Sequence, residues 1–287
     1  MNRQDFRFFE PLRVRWSEVD LQKIVFNAHY LTYFDIAITG YWRALAMPYA
    51  KAMEQLEGDL YMRKAGVEFH ASARWDDRLE VGMRCARIGN SSITMAGAIF
   101  RGDQLLITSE LVYVFADPNT QTSRPVPAPL RDMLQGFEAG EPMLDVRTGD
   151  WAALGEAAAS VRTEVFVEEQ GIAQEDEWDE ADATAVHALV RNRLGQPVGT
   201  GRLLHDSAGV ARIGRMAALH PLRGAGIGQA VMAALEQAAR DRGDTQVVLS
   251  AQRSAEDFYR GLGYAPNGEP YEEVGIAHIP MARSLVV

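Results

Sequence analysis

Cysteine is almost missing from this chain. Cys85 is the only one among 287 residues, so no disulfide can close within it, and a reducing cytoplasm is the expected setting. Lysine is nearly as scarce: Lys23, Lys51 and Lys64 are the full set. The 29 Lys and Arg residues are outnumbered by 39 Asp and Glu, for a net charge of −10. That balance argues against non-specific nucleic-acid binding, which needs a basic surface. No apolar run approaches the roughly 20 residues of a membrane-spanning helix, so membrane insertion is not expected. The opening Met1-Asn-Arg-Gln-Asp-Phe lacks the apolar core of a secretion signal. Internal repeats and low-complexity tracts are missing too. His187, His205 and His220 have no metal-ligand spacing, and no metal or prosthetic group is predicted.

What is present is ordinary globular composition, 47% hydrophobic and 24% charged, in a chain long for one domain and comfortable for two. The charge is uneven. Residues 1–142 hold 16 basic and 18 acidic residues, whereas residues 143–287 hold 13 and 21. Between them lies Gln135-Gly-Phe-Glu-Ala-Gly-Glu-Pro142, which reads as a linker. The expected organisation is therefore a domain over 1–134, a linker over 135–142 and a second domain over 143–287.

The most telling stretch is His220-Pro-Leu-Arg-Gly-Ala-Gly-Ile-Gly228. An apolar strand-like run, Val210 to Leu219, precedes it. Helix formers from Gln229 to Arg240 follow it, with Ile227, Val231, Ala234, Leu235 and Ala238 on one stripe and Gly243 where a helix end wants a left-handed residue. In a strand–turn–helix the first-turn N–H groups are unpaired and the dipole is positive, which suits a phosphate. Arg223 adds a charge for phosphate oxygens. A dinucleotide site wants Gly-x-Gly-x-x-Gly and an acid ending the next strand; here the spacing is Gly-x-Gly-x-Gly and Gln246–Gln252 ends without one. A P-loop wants Gly-Lys-Ser/Thr, which is missing. A glycine-rich helix start with no ligand stays open on the residues alone. Arg223-Gly-Ala-Gly-Ile-Gly228 resembles the acyl-CoA loop of the GNAT N-acetyltransferases.

In the first half, Leu12, Val14 and Trp16 alternate with Arg13 and Arg15 in a half-buried strand pattern. Asn27 can cap a helix running from about Ala28 to Ala46, with Tyr30, Tyr33, Phe34, Ala37, Ile38, Tyr41 and Leu45 on its buried face. Strands are predicted over 65–73, 78–88, 92–101 and 105–115. One long helix followed by antiparallel strands implies an α+β layout, a curved sheet wrapped on a helix. Arg13-Val-Arg-Trp-Ser-Glu-Val-Asp20 and Ile24-Val-Phe-Asn-Ala-His-Tyr-Leu-Thr-Tyr-Phe-Asp35 resemble the hotdog-fold acyl-CoA thioesterases of the 4-hydroxybenzoyl-CoA thioesterase type, over roughly residues 8–134. That resemblance implies that Asp20 attacks the thioester or activates water. It also implies that the backbone N–H at about Asn27 polarises the carbonyl, and that the domains pair into a homodimer or homotetramer. Taken alone, Asp20 reads equally as a solvated loop carboxylate. Lys23 stands where the family usually has glycine; if that position needs positive φ, lysine is strained there. It then either contacts a CoA phosphate or marks a rebuilt loop. His29 reads as a packing or capping residue that can also face the thioester, and Glu18 as a surface or supporting residue.

In the second half, residues 142–147 read as a short strand and Asp150 as the cap of a helix to about Val165. Strands follow at 186–193, 197–204, 210–219 and 247–251, and Ser254-Ala-Glu-Asp257 looks like a capping box. Arg162-Thr-Glu-Val-Phe-Val-Glu-Glu-Gln-Gly171 and Ala255-Glu-Asp-Phe-Tyr-Arg-Gly-Leu-Gly-Tyr264 extend the GNAT resemblance, the former toward the ElaA group, over roughly residues 143–283. It implies a mixed sheet flanked by helices. Acetyl-CoA would bind as substrate, its pyrophosphate on Gly224, Ala225, Gly226, Ile227 and Gly228, its pantetheine along Met216, Ala217, Ala218 and Leu219. An amine would be the acceptor, and Tyr259 would protonate the departing thiolate; read alone, Tyr259 is a core aromatic. Glu168, Glu169 and the acids at 175–182 read either as a solvated face or as groups that attract the amine and pass on its proton. The predicted whole is a bifunctional CoA-thioester enzyme, or an active acetyltransferase whose hotdog half is an inactive assembly or acyl-CoA-sensing module.

Overall fold

The computed structural model describes residues 1–286. It divides into two compact units, Met1–Met143 and a second beginning at Leu144.

The first unit runs β1 (Phe8–Arg13), α1 (His29–Ala44), α2 (Tyr49–Gln55), β2 (Asp59–Phe69), β3 (Arg78–Ile88), β4 (Ser92–Arg101), β5 (Gln104–Ala116) and α3 (Ala128–Ala139). Its antiparallel sheet has the order β1-β3-β4-β5-β2, leaving β1 and β2 as edges. The helix follows from its periodicity: Tyr30, Tyr33, Phe34, Ala37, Ile38 and Tyr41 recur at three- and four-residue intervals and are buried. Gly97 in β4 makes room for this helix, since a Cβ there would lie 2.6 Å from the Phe34 ring. Three expectations are corrected. Asn27 caps nothing; the residue at the helix N-cap is Ala28, with no side-chain cap. β1 ends at Arg13, so Val14 is buried but Trp16 lies in a short 3-10 turn, 78% exposed. Residues 135–139 of the expected linker belong to α3, which ends at Gly140 with φ 82. Glu138 there accepts hydrogen bonds from the Tyr41 hydroxyl (2.6 Å) and the Cys85 N–H (2.8 Å), which makes this stretch part of the first unit's core.

The second unit runs β6 (Leu144–Gly149), α4 (Trp151–Arg162), α5 (Gln174–Glu177), β7 (Val186–Asn192), β8 (Pro197–Ser207), β9 (Val210–Ala218), α6 (Ile227–Arg242), β10 (Gln246–Gln252), α7 (Glu256–Gly261), β11 (Ala265–Pro266), β12 (Tyr271–Glu273) and β13 (Ile276–Ser284). The sheet order is β11-β13-β10-β9-β8-β7-β6, with β12 paired to β13. Asp150 caps α4 as expected, accepting from the Ala153 N–H at 2.9 Å. Ser254 does not cap α7: it lies in a 3-10 turn, and the N-cap position is Ala255. Beyond Arg162 the backbone continues as a π-helix over Thr163–Glu169, an insertion that hydrophobic spacing does not reveal.

The sheet is mixed because β9 and β10 run parallel. They pair only from Val210–Gln246 to Ile213–Leu249, although β9 continues to Ala218 and β10 to Gln252. The two strands therefore part in mid-sheet, and β9 keeps its other neighbour, β8.

Candidate active sites

In the first unit, the chain between β1 and α1 folds into a narrow neck. Val19 bridges Val25, and the Phe26 N–H donates to the Glu18 carbonyl at 2.9 Å. Asp20 begins the tight turn beyond that neck. Its N–H donates to the Ile24 carbonyl, and its own carbonyl accepts from the Lys23 N–H, both at 2.9 Å. The Asp20 side chain is half-buried. Its Oδ1 accepts from the Gln22 N–H at 2.8 Å; its Oδ2 has no partner among the described residues. Because the neck closes on Phe26, the turn bearing Asp20 returns directly to the start of α1. There the N–H groups of Asn27 and Ala28 have no acceptor among the described residues, at the positive end of a 16-residue helix. A carboxylate and free helix-start donors on adjoining segments are the pair that thioester attack requires.

Glu18 has a definite place. Its Oε2 accepts from the Tyr33 hydroxyl and the Arg15 N–H, each at 2.7 Å, which ties the loop to α1. Burial, with Glu18 beside it, raises the Tyr33 hydroxyl pKa well above its usual range. His29 packs edge-on against Phe26, with ring centres 6.1 Å apart.

Lys23 has φ 62, so it occupies the left-handed conformation that favours glycine. The strain is about 1–2 kcal/mol, offset in part by the roughly 0.5–1 kcal/mol of extra freedom that glycine has to lose on folding. Lys23→Gly is therefore expected to stabilise the chain by up to about 1 kcal/mol, read as a higher midpoint in thermal or urea unfolding.

In the second unit, β9 leads through a 3-10 turn at His220–Leu222 to Gly224 (φ 85) and Gly226 (φ 82), and α6 begins at Ile227. Both glycines are left-handed, a geometry no L-residue adopts cheaply. The N–H groups of Gly224, Gly226, Ile227, Gly228 and Gln229 find no backbone acceptor among the described residues, whereas the Ala225 N–H donates to Leu222. The loop is thus a ring of donors at a helix start. Arg223 is not waiting free beside it: its two terminal nitrogens lie 2.6 and 2.7 Å from the Glu169 carboxylate. That pair is part-exposed, so exchanging the carboxylate for a phosphate would cost roughly 1 kcal/mol or less.

Along β9, Ala217 pairs with Thr200 and Ala218 with Gly199, and the Leu219 N–H already donates to Val198. Where β9 and β10 part, a cleft of about 380 Å³ opens, lined by Gly214, Arg215, Met216, Leu249, Ser250 and Tyr259 among others. Of the four strand positions expected to hold pantetheine, Met216 lines this cleft. Tyr259 is 7% exposed, and its hydroxyl has no hydrogen-bond partner among the described residues. Burial pushes its pKa up to about 12, so it keeps its proton at neutral pH.

The acidic segment 174–182 is not simply a solvated face. Glu177 and Asp182 are buried, as are Arg162 and Arg202. Arg162 bonds Glu177 and, at 2.8 Å, Asp182. Arg202 bonds Asp182 at 2.9 Å and grips Asp179 with both terminal nitrogens at 2.6 Å. Arg215, held at φ 51, reaches Asp179 at 3.2 Å and the Glu177 carbonyl at 3.1 Å. The Arg162 guanidinium also lies over the Trp178 ring, 4.5 Å from its centre. Burial raises the Glu177 pKa despite its arginines. At Asp182 burial pushes upward too, but the bonds from Arg162 and Arg202 outweigh it and the pKa falls. Glu169 and Glu177 are thus committed to arginines. The reading of the sequence passed over the hairpin of β12 and β13, turned at Val274 (φ 50) and Gly275 (φ 74). It adds Tyr271, Glu273 and His278 to the cleft wall. Its only local signal is the Val274-Gly275 pair between the two short runs. Among the described residues, no group of three or more His, Cys, Asp or Glu side chains is arranged to hold a metal ion. No helix among them is long and apolar enough to cross a membrane.

These two sites and folds define a two-domain, CoA-related protein. Residues 22–108 match the thioesterase superfamily model, and residues 155–285 match the model of the acetyltransferase (GNAT) domain. The Bacillus subtilis protein named uncharacterized N-acetyltransferase YjcF is 38% identical over 124 residues, 43% of this chain and 87% of that protein. Protein ElaA of Escherichia coli is 36% identical over 137 residues, 45% of this chain and 87% of its own. Among solved structures, the 1,4-dihydroxy-2-naphthoyl-CoA thioesterase Slr0204 from Synechocystis is 17% identical with a TM-score of 0.42, covering 46% of this chain and 97% of that one. The chain belongs to the GNAT acetyltransferase family through its second unit and carries a thioesterase-superfamily hotdog domain in its first.

Proposed function

We propose that the protein is a bifunctional CoA-thioester enzyme: the first unit hydrolyses an acyl-CoA, and the second transfers acetyl from acetyl-CoA to an amine. The observation that carries the second activity is the parting of β9 and β10 next to the donor ring at Gly224–Gly228. The pyrophosphate takes those N–H groups, and the pantetheine fills the unpaired edge of β9. The neutral amine nitrogen attacks the thioester carbon, a C–N bond forms, the C–S bond breaks, the thiolate takes the Tyr259 proton, and the proton released by the nitrogen restores the tyrosine. A thiol with a pKa of roughly 8.5 leaves fairly readily without help. Tyr259→Phe is therefore expected to lower kcat by about 10- to 100-fold while leaving KM for acetyl-CoA unchanged, in a steady-state assay of thiol release with amine present.

In the first unit, Asp20 attacks the thioester carbonyl or activates water to do so, and the Asn27 N–H takes the developing oxyanion. The first unit is also the proposed site of homodimer or homotetramer formation. Leu21 at 102% exposure, Trp75 at 61% and Phe26 at 50% leave much apolar surface around this loop, and β2 is an open sheet edge. A second reading makes the first unit an inactive assembly or acyl-CoA-sensing module; the left-handed Lys23 in the turn beside Asp20 favours it. The test is thiol release from acyl-CoAs ranging from acetyl to long-chain and aromatic, without amine and then with an amine panel. Release without amine supports hydrolysis, and amine-dependent release of CoA from acetyl-CoA supports transfer. Absence of both kinds of release would sink the proposal.

A further inference from the structure

Acetyl transfer needs a base as well as an acid, because an aliphatic amine arrives as an ammonium ion. The acidic residues of the second unit that stand out in the sequence are poor candidates. Glu169 is not among the residues that line the cleft holding Tyr259, and Glu177 is held by Arg162 and Arg215. His278 is different. It lies on β13, half-buried, and lines the same cleft as Tyr259. Its Nδ1 is 2.8 Å from the Ile276 carbonyl oxygen. A carbonyl oxygen can only accept, so Nδ1 carries the hydrogen and the neutral ring presents an Nε2 lone pair. Nε2 has no hydrogen-bond partner among the described residues. Tyr271, its cross-strand neighbour on β12, stacks on the imidazole with ring centres 5.7 Å apart and planes 23° apart. The carbonyl thus sets the tautomer, and the stack sets the ring plane.

We infer that His278 is the general base that takes the proton of the acceptor amine. The inference rests on the acetyltransferase reading of the second unit. Nε2 first takes one proton of the bound ammonium, which frees the nitrogen lone pair; the lone pair then forms the C–N bond, the C–S bond breaks as the thiolate takes the Tyr259 proton, and the second N–H proton returns to the tyrosinate. The imidazolium passes its proton to solvent. The groups around the imidazole are Tyr271 and Glu273 from β12, Gln252 opposite it on β10, and Arg212 and Arg215 from β9 with Glu177 from α5 along the cleft wall. Both arginines are already engaged with carboxylates. This imidazole offers its lone pair to a cleft that already contains a protonated acid, the division of labour that proton-coupled acyl transfer uses.

The test compares two acceptors of similar shape, ethylamine and 2,2,2-trifluoroethylamine. The first is an ammonium at neutral pH and must lose a proton; the second is already mostly neutral. For the full chain, His278→Gln is expected to lower kcat/KM about 100-fold with ethylamine and by less than about threefold with the fluorinated amine. Acetyl-CoA binding, measured by calorimetry, should not change. His278→Asn is the second variant and should give the same pattern. A loss equal for both acceptors, or no loss, overturns the assignment while leaving the acetyltransferase reading intact. No transfer by the parent protein to either amine, or to any of a wider amine panel, removes that reading and the base with it.

Discussion

Replacing Asp20 with Asn is expected to lower amine-independent thiol release from the preferred acyl-CoA by about a thousandfold. The substitution keeps the volume of the side chain and an oxygen that can still accept from the Gln22 N–H, so the turn survives. It removes the charge on the oxygen that has no partner, the atom that would attack the thioester or its water. The neck between Val19 and Val25 and the Tyr33–Glu18 bond do not depend on that charge. Thermal unfolding should therefore stay within a degree or two of the parent while hydrolysis disappears. The discriminating result is hydrolysis by Asp20→Asn at the parent rate, which would leave the first unit as an assembly or sensing module. The two outcomes also assign the effect of Lys23→Gly. In a working thioesterase the same variant reports on how a strained turn positions a carboxylate; in a module without chemistry it reports on stability alone.

The largest expected loss of stability comes from Arg162→Met in the second unit. Arg162 is 1% exposed, with Glu177 and Asp182 on its nitrogens and Trp178 under its plane. Methionine fills most of the space but leaves Glu177 and Asp182 short of a partner away from water. Breaking a buried ion pair from one side costs about 3–5 kcal/mol, which in a unit of this size lowers the melting temperature by on the order of 10–20 °C. Adding Glu177→Leu to Arg162→Met should return part of the loss, since exchanging both members of a buried pair for apolar groups is far less costly than exchanging one. The acid limb carries a second signature. The hydrogen bonds from Arg202 lower the Asp179 pKa against a smaller effect of burial; at Asp182 burial is the largest single influence and raises the pKa, but the bonds from Arg162 and Arg202 together outweigh it and the pKa falls. Folded values below the unfolded ones mean that these aspartates stabilise the fold above the ordinary carboxylate range, and that the contribution is lost as pH falls through their folded values. Glu177, raised by burial, works in the opposite sense. Arg162→Met should flatten the Asp182 part of the acid limb, as read by urea unfolding at pH values from about 2 to 7.

How much of this could be read from the residues depends on the range of the interactions. The stripe from Tyr30 to Tyr41 announces α1 because helical spacing is local. The glycines at 224, 226 and 243 announce a left-handed turn and a helix end for the same reason, and all three have φ near 85. Lys23 could be flagged because its turn demands one backbone conformation. Long-range pairing was not legible. The carboxylates of Glu177, Asp179 and Asp182 look solvated until arginines at 162, 202 and 215 arrive from three other elements. His278 carries no motif; its role depends on a carbonyl two residues back and a tyrosine on the neighbouring strand. Asn27 and Ser254 are good capping residues that each sit one position before the N-cap the structure uses. The choice there was made by the Glu18–Phe26 neck and by a 3-10 turn, not by side-chain preference.

The early parting of β9 and β10 has a consequence for how the protein behaves in a cell. Past Ile213 and Leu249 each strand lacks the neighbour it would have in a continuous sheet, so part of the second unit's cohesion is left for a bound molecule to supply. On the acyl-CoA reading the nucleotide-bearing substrate serves as a missing structural member. A ligand present at a hundred times its dissociation constant adds about 2.7 kcal/mol to the fold that binds it. The durability of the second unit against heat and proteolysis would then rise and fall with the acetyl-CoA pool, so the abundance of the transferase would itself report the supply of the compound it consumes.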